Sequence, residues 1–282
     1  MKTSFFSHSV VRSVVIVWCM CQGAAHAQTD TAGLPLWEVG AFAGALSSPA
    51  YPGSAQRFTR QLVLPYLIYR GERLQVGREG INALLSLAPG YELDVGLSGS
   101  FPASSQDVTA RQGMPDLGTL LEFGPRLKVG LGGPARGFRL GLELPLRNVI
   151  EFNGGARSQG IVFEPALVLE GADIGAGWTL NAKAGVTWGD QHINQYFYGV
   201  PTEFATASRP SFEANAGLIS ARASVGTSKS LTPDLRFFGY ARMDYYGLGA
   251  NTTSPLALQS SSPSLGVGLT WTLGRSDAVV SR

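Results

Sequence analysis

From residue 36 to residue 273 apolar and polar positions alternate one for one, in runs separated by turn residues. A period of two belongs to the extended strand, whose successive side chains point to opposite faces. The stretch 119–147 reads as one hairpin. In its first arm Leu121, Phe123, Leu127, Val129 and Leu131 alternate with Glu122, Gly124, Arg126, Lys128 and Gly130. The turn runs from Gly132 to Gly137, and Phe138, Leu140, Leu142, Leu144 and Leu146 return against Arg139, Gly141, Glu143 and Arg147. One face is apolar; the other mixes charges of both signs with glycine. A soluble sandwich strand also has one greasy face, so the hairpin alone does not decide. Long arms repeated along the whole chain favour a membrane barrel, its apolar side in lipid and its polar side lining a lumen. In that register Leu140 and Leu142 face lipid, Gly141 and Glu143 face the lumen, and Glu143→Arg should be tolerated.

Twelve segments carry the pattern: 36–46, 60–70, 73–79, 81–87, 91–101, 119–131, 138–147, 160–171, 176–189, 211–227, 234–247 and 263–273. The alternating apolar set is Trp37, Val39, Ala41 and Ala43 in the first, and Leu62, Leu64, Tyr66 and Ile68 in the second. Long connections fall at 47–59, 102–117, 149–159, 190–210 and 248–262, short ones near 71–72, 88–90, 132–136, 172–175 and 228–233. Outer-membrane barrels keep short turns on the periplasmic side, long loops outside, and usually an even strand count. Reading 73–87 as one strand breaks that parity; a split at Arg78-Glu79-Gly80 restores it. The expectation is an all-β chain: a single-domain transmembrane antiparallel β-barrel of about twelve strands, ten being the alternative. A soluble exported β-sandwich is the alternative at the level of fold.

The first residues fix the compartment. Lys2 and Arg12 precede or interrupt the approach to an apolar run, Val14 to Met20, followed by Ala25-His26-Ala27, an A-x-A cleavage signal. The run is shorter than the ~20 residues a spanning helix needs, so 1–27 is expected to be a cleaved signal peptide and 28–282 the barrel. The chain has 22 Lys plus Arg and 20 Asp plus Glu. Two of the bases leave with the signal, so the mature chain is formally neutral, and nucleic acid loses its compositional support as a partner. Both cysteines, Cys19 and Cys21, leave as well, which excludes a disulfide scaffold. A closed sheet with every backbone group paired supplies stability in their place.

Candidate lumen-facing residues follow from the polar alternates: Glu92, Asp94, Glu122, Arg126, Lys128, Arg139, Glu143, Arg147, Glu164, Glu170 and Lys183, with Arg236 and Arg242. Such charges can line a pore or pair across the lumen and plug it. His192 is the one mature histidine. With Asp190 and a nearby serine it has the residue types of an ester-hydrolysing triad, but polar residues where a strand enters a long loop need no catalytic explanation. No catalysis is expected. One histidine and no mature cysteine leave no set of zinc ligands, and no cofactor or metal is expected. Tyr69, Trp188, Tyr196, Phe197, Tyr198, Tyr245, Tyr246 and Trp271 lie near expected strand ends, as an interfacial aromatic girdle requires. A ligand-stacking surface at 196–198 is the lesser reading.

Several loop motifs carry a resemblance. They are Tyr51-Pro52-Gly53-Ser54, Pro65 to Arg70, Arg157-Ser158-Gln159-Gly160, Tyr196-Phe197-Tyr198-Gly199-Val200, and Leu248 to Asn251 running on to Ser254-Pro255. In that order the chain resembles the MipA/OmpV family, the MltA-interacting outer-membrane proteins, over nearly all its mature length. The resemblance implies a Gram-negative outer-membrane barrel, in contact with outer-membrane lipid. It implies a scaffold role toward a periplasmic lytic transglycosylase and a murein synthase; a porin-like channel or a surface adhesin is the alternative. It brings no catalytic residues. In one respect the chain departs from such barrels, which usually end on an aromatic residue: here Trp271 and Leu273 are followed by Gly274 to Arg282. The N-terminal segment 28–35 and the tail 275–282 are then the longest pieces expected on the periplasmic side.

Overall fold

The computed structural model describes residues 33–71, 74–77, 80–83, 85–134, 137–171 and 174–280, with backbone alone between 74 and 87. The expected signal peptide lies outside the described residues. The strands are β1 (Leu34–Pro35), β2 (Trp37–Pro49), β3 (Arg57–Arg70), β4 (Leu74–Gly77), β5 (Gly80–Ala83), β6 (Leu85–Ala88), β7 (Tyr91–Ser100) and β8 (Thr119–Gly132). They continue with β9 (Phe138–Phe152), β10 (Ala156–Phe163), β11 (Ala166–Gly171), β12 (Trp178–Gly189), β13 (Gly217–Ser230), β14 (Leu235–Tyr245), β15 (Ser261–Arg275) and β16 (Val279–Val280). An α-helix, α1 (Gln191–Tyr198), follows β12.

Within the large sheet all pairing is antiparallel and mostly between strands adjacent in sequence, and β2 pairs with β15 to join the two halves of the chain. The order of pairing begins at β5 and ends at β6, which are one residue apart, so the ladder returns to its start. β5 with β6, and β10 with β11, each make one stave with a break, which gives twelve staves among the described residues from the fourteen segments of the sheet. The second break falls at Glu164-Pro165, where proline has no N–H to give the ladder. The expected split of 73–87 is present, with Gly77 opposite Gly80. Outside, Val63, Val95, Phe123, Val186, Val225, Leu265, Val267 and Leu269 are exposed, the apolar band of a transmembrane barrel. Trp178 and Phe237 meet edge to face at 6.0 Å near the short-turn end, with Lys229 over the tryptophan at 5.5 Å, as in an interfacial belt.

Three expectations are corrected. The apolar set of 60–70 points inward: Leu62 and Leu64 are buried with Phe42, and Val63 and Leu67 face out. Pairing with β2 sets this register, since Val63 lies opposite Ala43 on the outer face. The long loop expected at 149–159 is mostly hairpin, because β9 runs to Phe152 and β10 starts at Ala156. The strand expected from 211 begins at Gly217. At the short-turn end β1 and β16 pair as a ribbon, Leu34 opposite Val280 and Pro35 opposite Val279.

Candidate functional site

The inward residues of β7, β8, β9, β12, β13 and β14, with Glu164 at the β10–β11 break, form two chains of paired charge across the lumen. In the first, Arg126 donates through Nε and a terminal nitrogen to the two oxygens of Asp94, at 2.8 and 2.7 Å. Lys128 stands 3.0 Å from Asp94 and 3.9 Å from Glu92. Arg126 also lies 4.0 Å from Glu143, which Lys183 reaches at 2.9 Å. In the second, Arg147 bridges Glu122, at 3.0 Å, and Glu164. Arg222 joins Glu164 at 2.8 Å to Asp244 at 2.7 Å, and Arg242 is 2.7 Å from the same Asp244. Arg139 meets Glu170 at 3.1 Å near the short turns.

Each of the eleven polar alternates selected from sequence therefore sits within reach of an opposite charge. Arg242 belongs to the second chain, and Arg236 lies on the same face toward the short-turn end. Sequence reasoning missed Arg222 and Asp244, and the Glu38–Arg70 pair at 2.6 Å. Asp244 was findable, since Ala241, Met243 and Tyr245 alternate with Arg242 and Asp244. Arg222 stands among Ala221, Ala223 and Ser224, whose small side chains barely mark an outer face. Between the two chains the lumen keeps a cavity of about 90 Å³.

The long loops are not loose. Tyr51, Ala103, Val108, Met114, Leu117, Val200 and Leu256 bury one another in a core of their own. A second cluster, with Leu120, Val149, Val162, Ile193, Tyr198, Ala214 and Ile219, joins it to the strand ends. Polar links cross from loop to loop: Tyr51 donates to Leu256 O at 2.8 Å and Ser254 Oγ to Tyr198 O at 2.7 Å. Buried Asn251 donates to Asn194 Oδ1 and to Asn215 O, both at 2.9 Å. Arg209 donates to Ala110 O at 2.9 Å and to Phe204 O at 2.8 Å. Glu151 Oε1 accepts from Tyr196 Oη at 2.9 Å and from Gly118 N at 2.8 Å. Burial pushes the phenols of Tyr196 and Tyr198 upward, Glu151 reinforcing it at Tyr196, and raises Tyr51 to about 12. Burial lowers the Arg111 guanidinium, against the pull of Tyr51 beside it.

This cap absorbs three of the five motifs singled out in the sequence, while Pro65 to Arg70 lies in β3 and Arg157 to Gly160 in β10. Tyr51, Tyr198, Val200 and Ser254 are buried in it, with Pro52, Gly53, Tyr196, Phe197, Gly199 and Pro255 around them. Tyr196, Phe197 and Tyr198 are thus corrected from girdle to cap, since a helix packs them against the loop core, and Tyr246, just after β14, is buried as well. Asp190 caps that helix, Oδ1 accepting from Ile193 N and Oδ2 from Ile161 N, each at 3.0 Å. Gly160, at φ +109°, lies so close to this carboxylate that a Cβ would strike it. His192 is exposed, and among the described residues no hydrogen bond joins it to Asp190. Among the described residues no group of three or more His, Cys, Asp or Glu is placed to hold a metal.

A family model described as "MltA-interacting protein MipA" matches residues 39–273. The chain belongs to the MipA family. The match spans the strands from β2 to β15 and the whole cap, so the fold described here, a β-barrel of the outer-membrane type, is read along with the family over the same residues. No curated protein matches the chain. Among solved structures it is similar to outer membrane phospholipase A from Escherichia coli, at 14% identity over 91% of this chain and 97% of that one, with TM-score 0.38. It is also similar to the NanC porin (12%, 84% and 100%, TM-score 0.36) and to a bacterial polysaccharide outer membrane secretin (8%, 87% and 100%, TM-score 0.40). At such scores these likenesses carry no argument about what this MipA-family chain does.

Proposed function

We propose that this protein sits in the outer membrane as an anchored docking body for murein enzymes and not as an open pore. The observation that supports this reading is a lumen crossed by paired charges beneath a cap with its own apolar core. A general pore needs a continuous wet path; here each inward charge near mid-lumen is held by a neighbour of opposite sign. The family description names MltA as the partner. In this reading a periplasmic lytic transglycosylase of that kind docks on the short turns and the β1–β16 ribbon, with a murein synthase beside it. The cap, on the opposite side, takes no part.

Planar-bilayer recording on the purified protein tests the plugged lumen: no discrete conductance steps are expected, and stable steps would return the reading to a porin. The docking side is tested on the same preparation by placing a single photocrosslinking thiol at Asp277 or at Ala207, both exposed. Adducts with purified transglycosylase are expected from Asp277 alone. Adducts from Ala207 alone would refute the docking side.

A further inference from the structure

We propose that the cavity between the two charge chains is a binding site for a small oxyanion, of the phosphate or carboxylate class, entered from the short-turn side. This inference does not rest on the docking reading. Five of the side chains around the cavity are bases, Arg126, Arg147, Lys183, Arg222 and Arg242, against two acids, Glu143 and Glu164. The remaining acids of the network stand behind the bases: Asp94 holds Arg126, Glu122 holds Arg147, and Asp244 holds both Arg222 and Arg242. None of the three lines the cavity. Arg126, Arg147, Arg222 and Arg242 are thereby each held by an acid outside the cavity wall, whereas Lys183 is held by Glu143 within it.

The two carboxylates that do reach the wall are already committed. Glu164 Oε1 accepts from Thr187 at 3.0 Å and from Arg222 at 2.8 Å, and its Oε2 accepts from Arg147. Glu143 Oε2 accepts from Lys183. Guanidinium and ammonium groups are all donor and no acceptor, so the wall is rich in donors and short of acceptors. The complementary occupant is rich in acceptors and carries negative charge. That describes an oxyanion, which arginine forks bind with charge-assisted hydrogen bonds. At about 90 Å³ the cavity holds a group of a few heavy atoms, since one water takes roughly 30 Å³ of liquid.

Access has a direction. Side-chain exposure rises from 4% and 0% at Arg126–Asp94, through 24% and 39% at Lys128–Glu92, to 58% and 32% at Arg139–Glu170. The lumen thus widens into water at the short turns and is closed at the other end by the cap. Lys128 and Arg139 line that approach together with their partners Glu92 and Glu170, so the way in is charge-balanced and the excess of bases is met only at the cavity.

Isothermal titration of the purified protein with inorganic phosphate, and separately with acetate, at ionic strength held constant with chloride, tests the site. Saturable binding with one site per chain is expected for at least one of the two. Arg242→Gln leaves Asp244 its bond to Arg222, and Lys183→Gln leaves a donor for Glu143, so both variants should keep the mobility of the folded protein on an unboiled gel. Each is expected to weaken binding tenfold or more, and Arg242→Lys to restore part of it. The site is refuted if neither anion gives saturable heat, or if both glutamine variants bind as tightly as the parent. Should one variant fail to fold, the other decides.

Discussion

Asp94→Ala is expected to destabilise the barrel by about 3–5 kcal/mol, the range for removing one partner of a buried ion pair. Asp94 is 2% exposed and receives two hydrogen bonds from Arg126, which is itself 4% exposed, and a third contact from Lys128. Without it Arg126 has Glu143 at 4.0 Å, and that carboxylate already serves Lys183. Lys128 fares better, because it is partly in water and near Glu92. The loss is therefore mostly the desolvation cost of a buried guanidinium deprived of its two bonds to Asp94, and not a lost attraction. For that reason the double change Asp94→Leu with Arg126→Leu should recover most of the stability, since replacing both charges by apolar groups removes the desolvation penalty along with the bond. The midpoint of urea unfolding in detergent, followed by the gel shift between unboiled and boiled samples, measures both. An Asp94→Ala effect within about 0.5 kcal/mol, the size of an ordinary surface change, would mean that the pair is not buried as described.

Leu142→Arg and Glu143→Arg are expected to be comparably harmful, for different reasons. Leu142 lies opposite Val129 and Leu167 on the outer face, and arginine there costs about 2–4 kcal/mol near the bilayer midplane. Glu143 is on the inner face, which by alternation alone should accept either sign of charge. The structure removes that tolerance: arginine at 143 would stand with Arg126 and Lys183, both of which now use its carboxylate. Lys183→Glu supplies the discriminating measurement. Added to Glu143→Arg it reverses the pair and should restore much of the folded yield in detergent-gel assays; added to Leu142→Arg it should restore nothing. Equal rescue of both, or of neither, would show that the register across β9 and β12 is wrong.

The outer face of the hairpin 119–147 was legible because lipid demands one thing, apolarity, at every second position. The inner face answers to several demands, and its reading stops sooner. Leu62 and Leu64 look like lipid-facing residues, yet they fill the lumen beside Phe42, because a barrel interior also accepts apolar packing. Arg222 was hidden by small neighbours that a period of two cannot sort. The charged alternates from Glu92 to Lys183 were visible one by one, but which acid meets which base depends on register across strands far apart in the chain. The cap was the least legible part. Its motifs were recognisable as words in order, while the helix 191–198 has only Asp190 and Gly199 to announce it. Tyr196 and Tyr198 near a strand end satisfy the rule for a membrane belt until the helix turns them inward.

The seam between β2 and β15 is fastened at both ends. Below it the β1–β16 ribbon continues the same pairing beyond the barrel; above it Tyr51 is bonded to Leu256, 205 residues away in the chain. A closure over that span has to wait until nearly all other strands are in register. Run backwards, the same order means that the folded protein cannot begin to open there until two separate fasteners have let go. The quantity they govern is a lifetime: contacts made after the barrier has been crossed slow unfolding without speeding folding. A chain held this way would persist in its membrane on the scale set by its escape rate, whatever its equilibrium stability.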